Sequence, residues 1–424
     1  FVITGTEEGL HGRVKISGAK NAVLPILAAC LLTEEACEIQ NVPPLADVRH
    51  MAELLTELGA RVEYDAAAET MFLLDKDIPV PEGVPHHFLS PGEEFSDGYA
   101  SFLAAGALLA RCGAARLPLP GGCQIGSRPI DLHLKGFHLM GAKSRQAHGM
   151  VELQAKALRG SDIYLDFPSV GATENILLAA TRAKGITTIE NAAAEPEICD
   201  LADFLRKMGA EIEGDGTDTI TIRGGKELHG AVHRVIPDRM EAGTFLAAAA
   251  ITGGDIILEN VQEEHLKPVL AKLAECNIKT ERTAEGIRVW RRGRLCGVQV
   301  KTMPFPGFPT DMQAPFMSLL AVAKGTSVMT ETIFENRFSH VGELQRMGAN
   351  IKIDSRSAVI EGVETLTGAK VRATDLRAGA ALILSALAAK GETEISDIYH
   401  IERGYDRIDE KLRRLGADIR REEE

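Results

Sequence analysis

A short phrase that ends a helix returns six times along the 424 residues, and this return constrains the fold more than any other feature. It reads Leu58-Gly59-Ala60, Met140-Gly141-Ala142, Met208-Gly209-Ala210, Met347-Gly348-Ala349 and Leu415-Gly416-Ala417, with a degenerate copy at Cys276-Asn277-Ile278. Successive Gly or Asn positions lie 82, 68, 68, 71 and 68 residues apart. A helix commonly stops on a left-handed residue, and Gly and Asn tolerate that conformation best. An alternating stretch follows each stop, such as ARVEYD, AEIEGD or ANIKID. In all but the last copy a turn and a second alternating stretch complete a β-hairpin.

Upstream of each stop lie a strand (RVKIS at 13–17, DIYLDF at 162–167, VQVKTM at 298–303), an Ala/Leu-rich helical run, and a β-branched strand (TTIENA at 187–192, DIILENV at 255–261). The unit is therefore strand–helix–strand–helix–strand–strand, an α/β pattern of βαβαββ type. The last copy runs out after one strand, and FVITG at the other end is its natural partner. Three units per domain, twice, is the simplest partition. It predicts a discontinuous domain of residues 1–19 and 231–424, and a second domain of residues 20–230. The long first step comes from an insertion around PLPGGCQIGSRPID (118–131), and loops added to a rigid repeat are where function tends to sit.

The net charge of −13 argues against a nucleic-acid partner, because phosphate backbones are bound by basic faces. It leaves room for small anions, since a few Lys and Arg in one cleft can outweigh the global charge. The longest uncharged apolar stretches are about 12 residues, short of the ~20 that span a membrane. Seven Cys without a CxxC pair fit a reducing cytoplasm, with neither a disulfide framework nor a zinc site. His86-His87 is the sole His cluster and reads as a loop. No GxGxxG or GxxxxGK[ST] pattern is present, so nucleotide binding of Rossmann or P-loop type has no support.

Equivalent helix starts carry different polar groups: SGAKNA (17–22), PSVGATEN (168–175), IPDRMEAG (236–243), FPTDMQA (308–314) and ATDLRAG (373–379). Helix N-termini present unpaired N–H groups and so bind anions, and Lys20, Arg239 and Arg377 add full charges. Asp238, Asp311 and Asp375 read equally as N-caps. Cys30, Cys37, Cys112, Cys199 and Cys276 lie in or beside apolar patterns and read as core. Cys123 differs. It sits in the insertion among glycines, with Arg128 five residues on to favour the thiolate, and is either reactive or bland.

Taken together, KISGAKNAVLPILAA, LPGGCQIGSRPIDLHLKGF, DFPSVGAT, ENAAAEPEI, FPTDMQA, TETIFENRF, ATDLRAGAAL and IYHIERGYDRI resemble the UDP-N-acetylglucosamine 1-carboxyvinyltransferase family of enolpyruvyl transferases, in order and over essentially the whole chain. The resemblance implies an inside-out α/β barrel of two domains. It implies transfer of the enolpyruvyl group of phosphoenolpyruvate to the 3′-hydroxyl of UDP-N-acetylglucosamine, with release of phosphate, as the first committed step of peptidoglycan synthesis. No metal or organic cofactor is implied. By the same resemblance Lys20, Asn21, Arg128 and Arg403 bind phosphoenolpyruvate. Cys123, Asp311, Lys20 and Arg403 carry the chemistry, Asp311 as base and Cys123 as proton donor, aid to product release and target of an epoxide such as fosfomycin. Arg128, Pro129, Ile130, Asp131, Leu132, Ser169, Val170, Gly171, Asp311 and Ile333 hold the UDP-sugar, with Asp375 and Arg377 in support near the phosphate.

Two positions depart from the family pattern. Tyr99 stands where an Arg is usual, either a lost ligand contact or a helix-packing aromatic, and Phe167 stands where a Lys is often found. Two other functions compete with the main expectation: a non-catalytic paralogue that binds the sugar nucleotide, and enolpyruvyl transfer to shikimate 3-phosphate. The expected location is the cytoplasm, and the oligomeric state is not legible.

Overall fold

The computed structural model describes residues 1–76, 78, 102–120, 129–291 and 293–422. Cys123, Arg128, Tyr99 and His86-His87 lie outside the described residues. The helix stops are where the repeat places them. Gly59, Gly141, Gly209, Gly348 and Gly416 have φ between 92° and 104°, and Asn277 has φ 70°.

One sheet shows how a unit is wired. Its strands lie in the spatial order Gln299–Lys301, Thr326–Thr330, Ser357–Glu361, Asn350–Asp354. The first pair is parallel, joined through the helix Gln313–Ala321; the other pairs are antiparallel, and the last is the hairpin. Strands Asp162–Tyr164, Gly185–Glu190, Thr219–Gly224 and Glu211–Glu213 repeat the same order. Among the described residues the second copy has three of the four strands, Ala114–Pro118, Met150–Gln154 and Lys143–Ala147. In the last copy Val2–Thr4 fills the vacant place, antiparallel to both Glu392–Ser396 and Asp418–Arg420.

Two further four-stranded sheets exchange their first strands. His11–Lys15 precedes the first helix in sequence, yet it pairs in parallel with Asp255–Glu259. The place it leaves beside Cys37–Gln40 is taken by Val232–Arg234. His233 secures the exchanged strand: its Nε2 hydrogen-bonds Asp200 Oδ1 (2.9 Å) and its Nδ1 lies 3.0 Å from Lys207 Nζ.

The chain forms two compact units. One holds Phe1–Ser17 and Pro237–Glu424; the described residues of 18–236, with the division after Ser17 and after Ile236, form the other. Each has its own apolar core. In the first, the helices Arg239–Thr252, Gln313–Ala321 and Leu376–Ala388 pack on one another and are buried almost all round, as their uniformly apolar composition requires. Among the described residues no helix is long and apolar enough to cross a membrane.

Candidate active site

Of the three Asp residues at helix starts, two are N-caps and one is not. Asp238 is an N-cap and accepts from the N–H groups of Met240 (2.7 Å) and Glu241 (3.0 Å). Asp375 caps likewise, accepting from Arg377 and Ala378, each at 3.0 Å. Asp311 is not a cap. It sits in the 3₁₀ turn Thr310–Met312, whose N-cap is Pro309, and its carboxylate is gripped by two arginines. Arg337 Nη2 donates to Oδ1 at 2.7 Å, and Arg377 donates to Oδ2 from Nε (3.2 Å) and Nη2 (3.0 Å). The Arg337 and Arg377 side chains are 4% and 3% exposed, whereas Asp311 keeps 26%. Two buried guanidiniums thus fix the orientation of one partly exposed carboxylate.

Arg377 is itself sandwiched. Its guanidinium lies 5.2 Å from the centre of the Tyr405 ring, and Tyr405 Oη pairs with Thr244 Oγ1 at 2.8 Å. Burial alone would lower the Arg377 guanidinium, but Tyr405, whose phenol is ionised only at the high pH where the guanidinium itself would titrate, with Asp311 and Asp238, outweighs it and the net shift is upward. Burial pushes the Tyr405 phenol up, so at neutral pH it keeps its proton and Asp311 is the contacting counter-charge. His340, beside Asp375 and Arg337, is pushed down to about 4 by burial. Arg403 is half-buried at the end of the helix Tyr399–Glu402, and Ile333 is half-buried past the strand Thr326–Thr330.

In the other unit, Lys20 opens the helix Lys20–Ala29 and donates to Asp47 Oδ2 at 3.1 Å; the two side chains are 13% and 9% exposed. Asn21 follows it, half-buried. Gly18 just upstream is required by packing, since a Cβ there would lie 1.8 Å from Asn41 O. Ser169 caps the helix Val170–Arg182 by accepting from Ala172 N (3.3 Å), so its hydroxyl is a cap as well as a candidate ligand contact. Ile130 is the N-cap of Asp131–Leu139; Pro129 and Asp131 are exposed, and Leu132 is half-buried. Phe167 is 41% exposed.

Among the other cysteines Cys30, Cys37 and Cys276 are buried, while Cys112 and Cys199 are half-buried and Cys296 exposed. Burial pushes the Cys276 thiol up to about 12 and the Cys199 thiol up to about 11, which removes them as thiolate nucleophiles. Among the described residues no group of three or more His, Cys, Asp or Glu is placed to hold a metal ion.

Sequence reasoning missed Arg337, Asp47, Tyr405 and Glu331. Their signal was present but weak. Arg337 and Glu331 lie in the stretch TETIFENRF, whose charges interrupt an apolar pattern without belonging to a helical or strand face.

Comparison with known proteins first defines the class. The sequence profile described as EPSP synthase (3-phosphoshikimate 1-carboxyvinyltransferase) matches residues 5–412. The enolpyruvyl transferase NikO from Streptomyces tendae superposes with a TM-score of 0.87 at 28% identity, covering 99% of this chain and 98% of that one. EPSP synthase from Acinetobacter baumannii, at 19% identity and a TM-score of 0.73 over 98% of both chains, shares the fold. The particular family follows from closer relatives. A UDP-N-acetylglucosamine 1-carboxyvinyltransferase of Caldanaerobacter subterraneus subsp. tengcongensis is 57% identical over 97% of both chains. One of Carboxydothermus hydrogenoformans is 55% identical over 99% of both. This chain belongs to the UDP-N-acetylglucosamine 1-carboxyvinyltransferase family.

Proposed function

We propose that this chain transfers the enolpyruvyl group of phosphoenolpyruvate to the 3′-hydroxyl of UDP-N-acetylglucosamine and releases phosphate, an early step of peptidoglycan synthesis. The observation that carries the reading is the 57% identity, over nearly the full length, with a relative named for that reaction.

The chemistry divides among the residues as follows. Asp311, partly exposed and with its orientation set by Arg337 and Arg377, accepts the proton of the sugar hydroxyl as that oxygen bonds to C2 of phosphoenolpyruvate. Cys123 delivers a proton to C3. The resulting tetrahedral ketal then loses phosphate, and C3 gives up a proton as the enol ether forms. Lys20, Asn21, Arg128 and Arg403 hold the phosphate and carboxylate. Pro129, Ile130, Asp131, Leu132, Ser169, Val170, Gly171 and Ile333 line the UDP-sugar. The same proposal includes an inside-out α/β barrel in each domain, a discontinuous domain that joins both ends of the chain, and work in the cytoplasm.

The test is phosphate release from phosphoenolpyruvate with UDP-N-acetylglucosamine, run beside shikimate 3-phosphate. Release with the sugar nucleotide alone is expected; release with shikimate 3-phosphate alone would overturn the reading. Cys123→Asp should keep turnover and resist fosfomycin, whereas Cys123→Ser should impair turnover. Equal fosfomycin sensitivity of wild type and Cys123→Asp would refute the role of Cys123.

A further inference from the structure

In three sheets the residue just past the second strand is an Asn in the left-handed region: Asn41 (φ 60°), Asn191 (φ 53°) and Asn260 (φ 55°). Each donates its Nδ2 to a carbonyl just beyond the first strand, Val235 O (2.9 Å), Leu165 O (2.7 Å) and Ile16 O (2.7 Å). In the sheet that carries Asp311 this place holds Glu331. The clip is made instead by its neighbour, Thr332, whose hydroxyl donates to Thr302 O at 2.6 Å. Relieved of that task, Glu331 is 1% exposed and both its carboxylate oxygens are engaged. Oε1 accepts from Thr302 Oγ1 (2.9 Å), Ile333 N (2.8 Å) and Phe334 N (3.2 Å); Oε2 accepts from Thr310 Oγ1 (2.9 Å).

The direction of the last bond matters. A carboxylate only accepts, so the Thr310 hydroxyl spends its proton on Glu331 and turns a lone pair to Arg337 Nη1, which donates at 3.0 Å. The other arm of the same guanidinium donates to Asp311 Oδ1 at 2.7 Å. One buried carboxylate therefore orders a chain from Glu331 through Thr310 and Arg337 to Asp311, and separately pins the backbone of Ile333.

We propose that Glu331 is a positioning residue of the transfer reaction, aiming the Asp311 carboxylate through Thr310 and Arg337 while fixing the Ile333 segment against the nucleotide. The inference rests on the function proposed above. In Glu331→Gln the amide carbonyl still serves Ile333 and Phe334, but the NH₂ group faces Thr310. The hydroxyl must then accept from the amide as well as from Arg337, its own proton loses its acceptor, and the reoriented hydroxyl no longer holds Arg337 in the same line. Misaim of a base by a fraction of an ångström lowers turnover by about 10- to 100-fold.

The experiment measures kcat and KM for wild type, Glu331→Gln, Thr310→Val, Thr310→Ser and the double variant Glu331→Gln/Thr310→Val, with melting temperatures in parallel. The expected result is a fall of kcat of about 10- to 100-fold in Glu331→Gln and Thr310→Val. KM for UDP-N-acetylglucosamine should stay within about threefold, and Thr310→Ser should recover at least about half of kcat, because it keeps the hydroxyl. The double variant should lose no more than the worse single one, because both act through one chain. A folded Glu331→Gln with wild-type kcat beside an active wild type, or multiplicative losses in the double variant, would overturn the positioning role alone. A wild type that releases no phosphate would overturn the functional reading and this role with it.

Discussion

Asp311 takes its orientation from guanidiniums, so the shape of those cations matters as much as their charge. Arg377 reaches Oδ2 with both Nε and Nη2, a fork that a lysine ammonium cannot copy. Arg377→Lys should lower kcat/KM by about 10- to 100-fold while the protein still folds. Arg377→Ala should also lose roughly 1–3 kcal/mol of stability, because Asp311 keeps Arg337 but loses its second charged partner; steady-state kinetics with thermal melts checks both. A second residue-scale prediction concerns acid. Burial pushes His133 down to about 4, and its Nδ1 lies 3.1 Å from Asn175 Nδ2. The folded state therefore holds this imidazole neutral, while the unfolded chain takes up a proton below its ordinary value near 6.5. The stability this group contributes is whole above pH ~6.5 and is lost as pH falls toward ~4, by about 3 kcal/mol at most. At pH 5, His133→Gln should reduce proton uptake on unfolding by about one, read from the slope of Tm against pH. At this scale the sequence was a partial guide. Asp238, Asp311 and Asp375 look alike in one dimension, each at a helix start. Only the arrival of Arg337 and Arg377 from 26 and 66 residues away distinguishes Asp311 from its capping counterparts.

At the scale of the element, the helix stops were legible because their cause is local: a left-handed residue is needed, and Gly or Asn supplies it. The Asn that closes each clip has an equally local cause, yet it hid inside stretches such as TTIENA and DIILENV that read as unbroken strand. The strands in fact end at Glu190 and Glu259, one residue earlier. The two properties of that Asn can be separated. Asn260→Gly keeps the left-handed backbone and loses one hydrogen bond, at about 1 kcal/mol. Asn260→Ala loses the bond and also strains the backbone, at about 2–3 kcal/mol. The alanine variant should therefore melt lower than the glycine variant, the reverse of the order expected at a helix interior. Equal melting temperatures would count against a left-handed requirement.

For the molecule as a whole, the repeat made six units readable and the strand exchange did not. Whether His11–Lys15 pairs with its sequence neighbour or with Asp255–Glu259 depends on long-range partners that no local pattern encodes. The exchange predicts where the chain can be cut. A fragment of residues 18–236 keeps Val232–Arg234 against Cys37–Gln40; a fragment of residues 18–230 leaves that parallel edge open and strips His233 from Asp200. The longer fragment should melt cooperatively and elute as a compact species, and the shorter one should melt lower or aggregate. The wiring also sets a timetable for synthesis. Val2–Thr4 and His11–Lys15 leave the ribosome well before their partners at Asp255–Glu259, Glu392–Ser396 and Asp418–Arg420 exist. At roughly 5–20 residues per second the wait runs from about ten seconds to more than a minute. Throughout it Val2, Ile3 and Val14, all buried in the finished protein, trail as unpaired apolar chain. Val14 is covered once Asp255–Glu259 has been made, and Val2 and Ile3 only when the last strands of the chain arrive, so residues synthesised early are among the last to be paired.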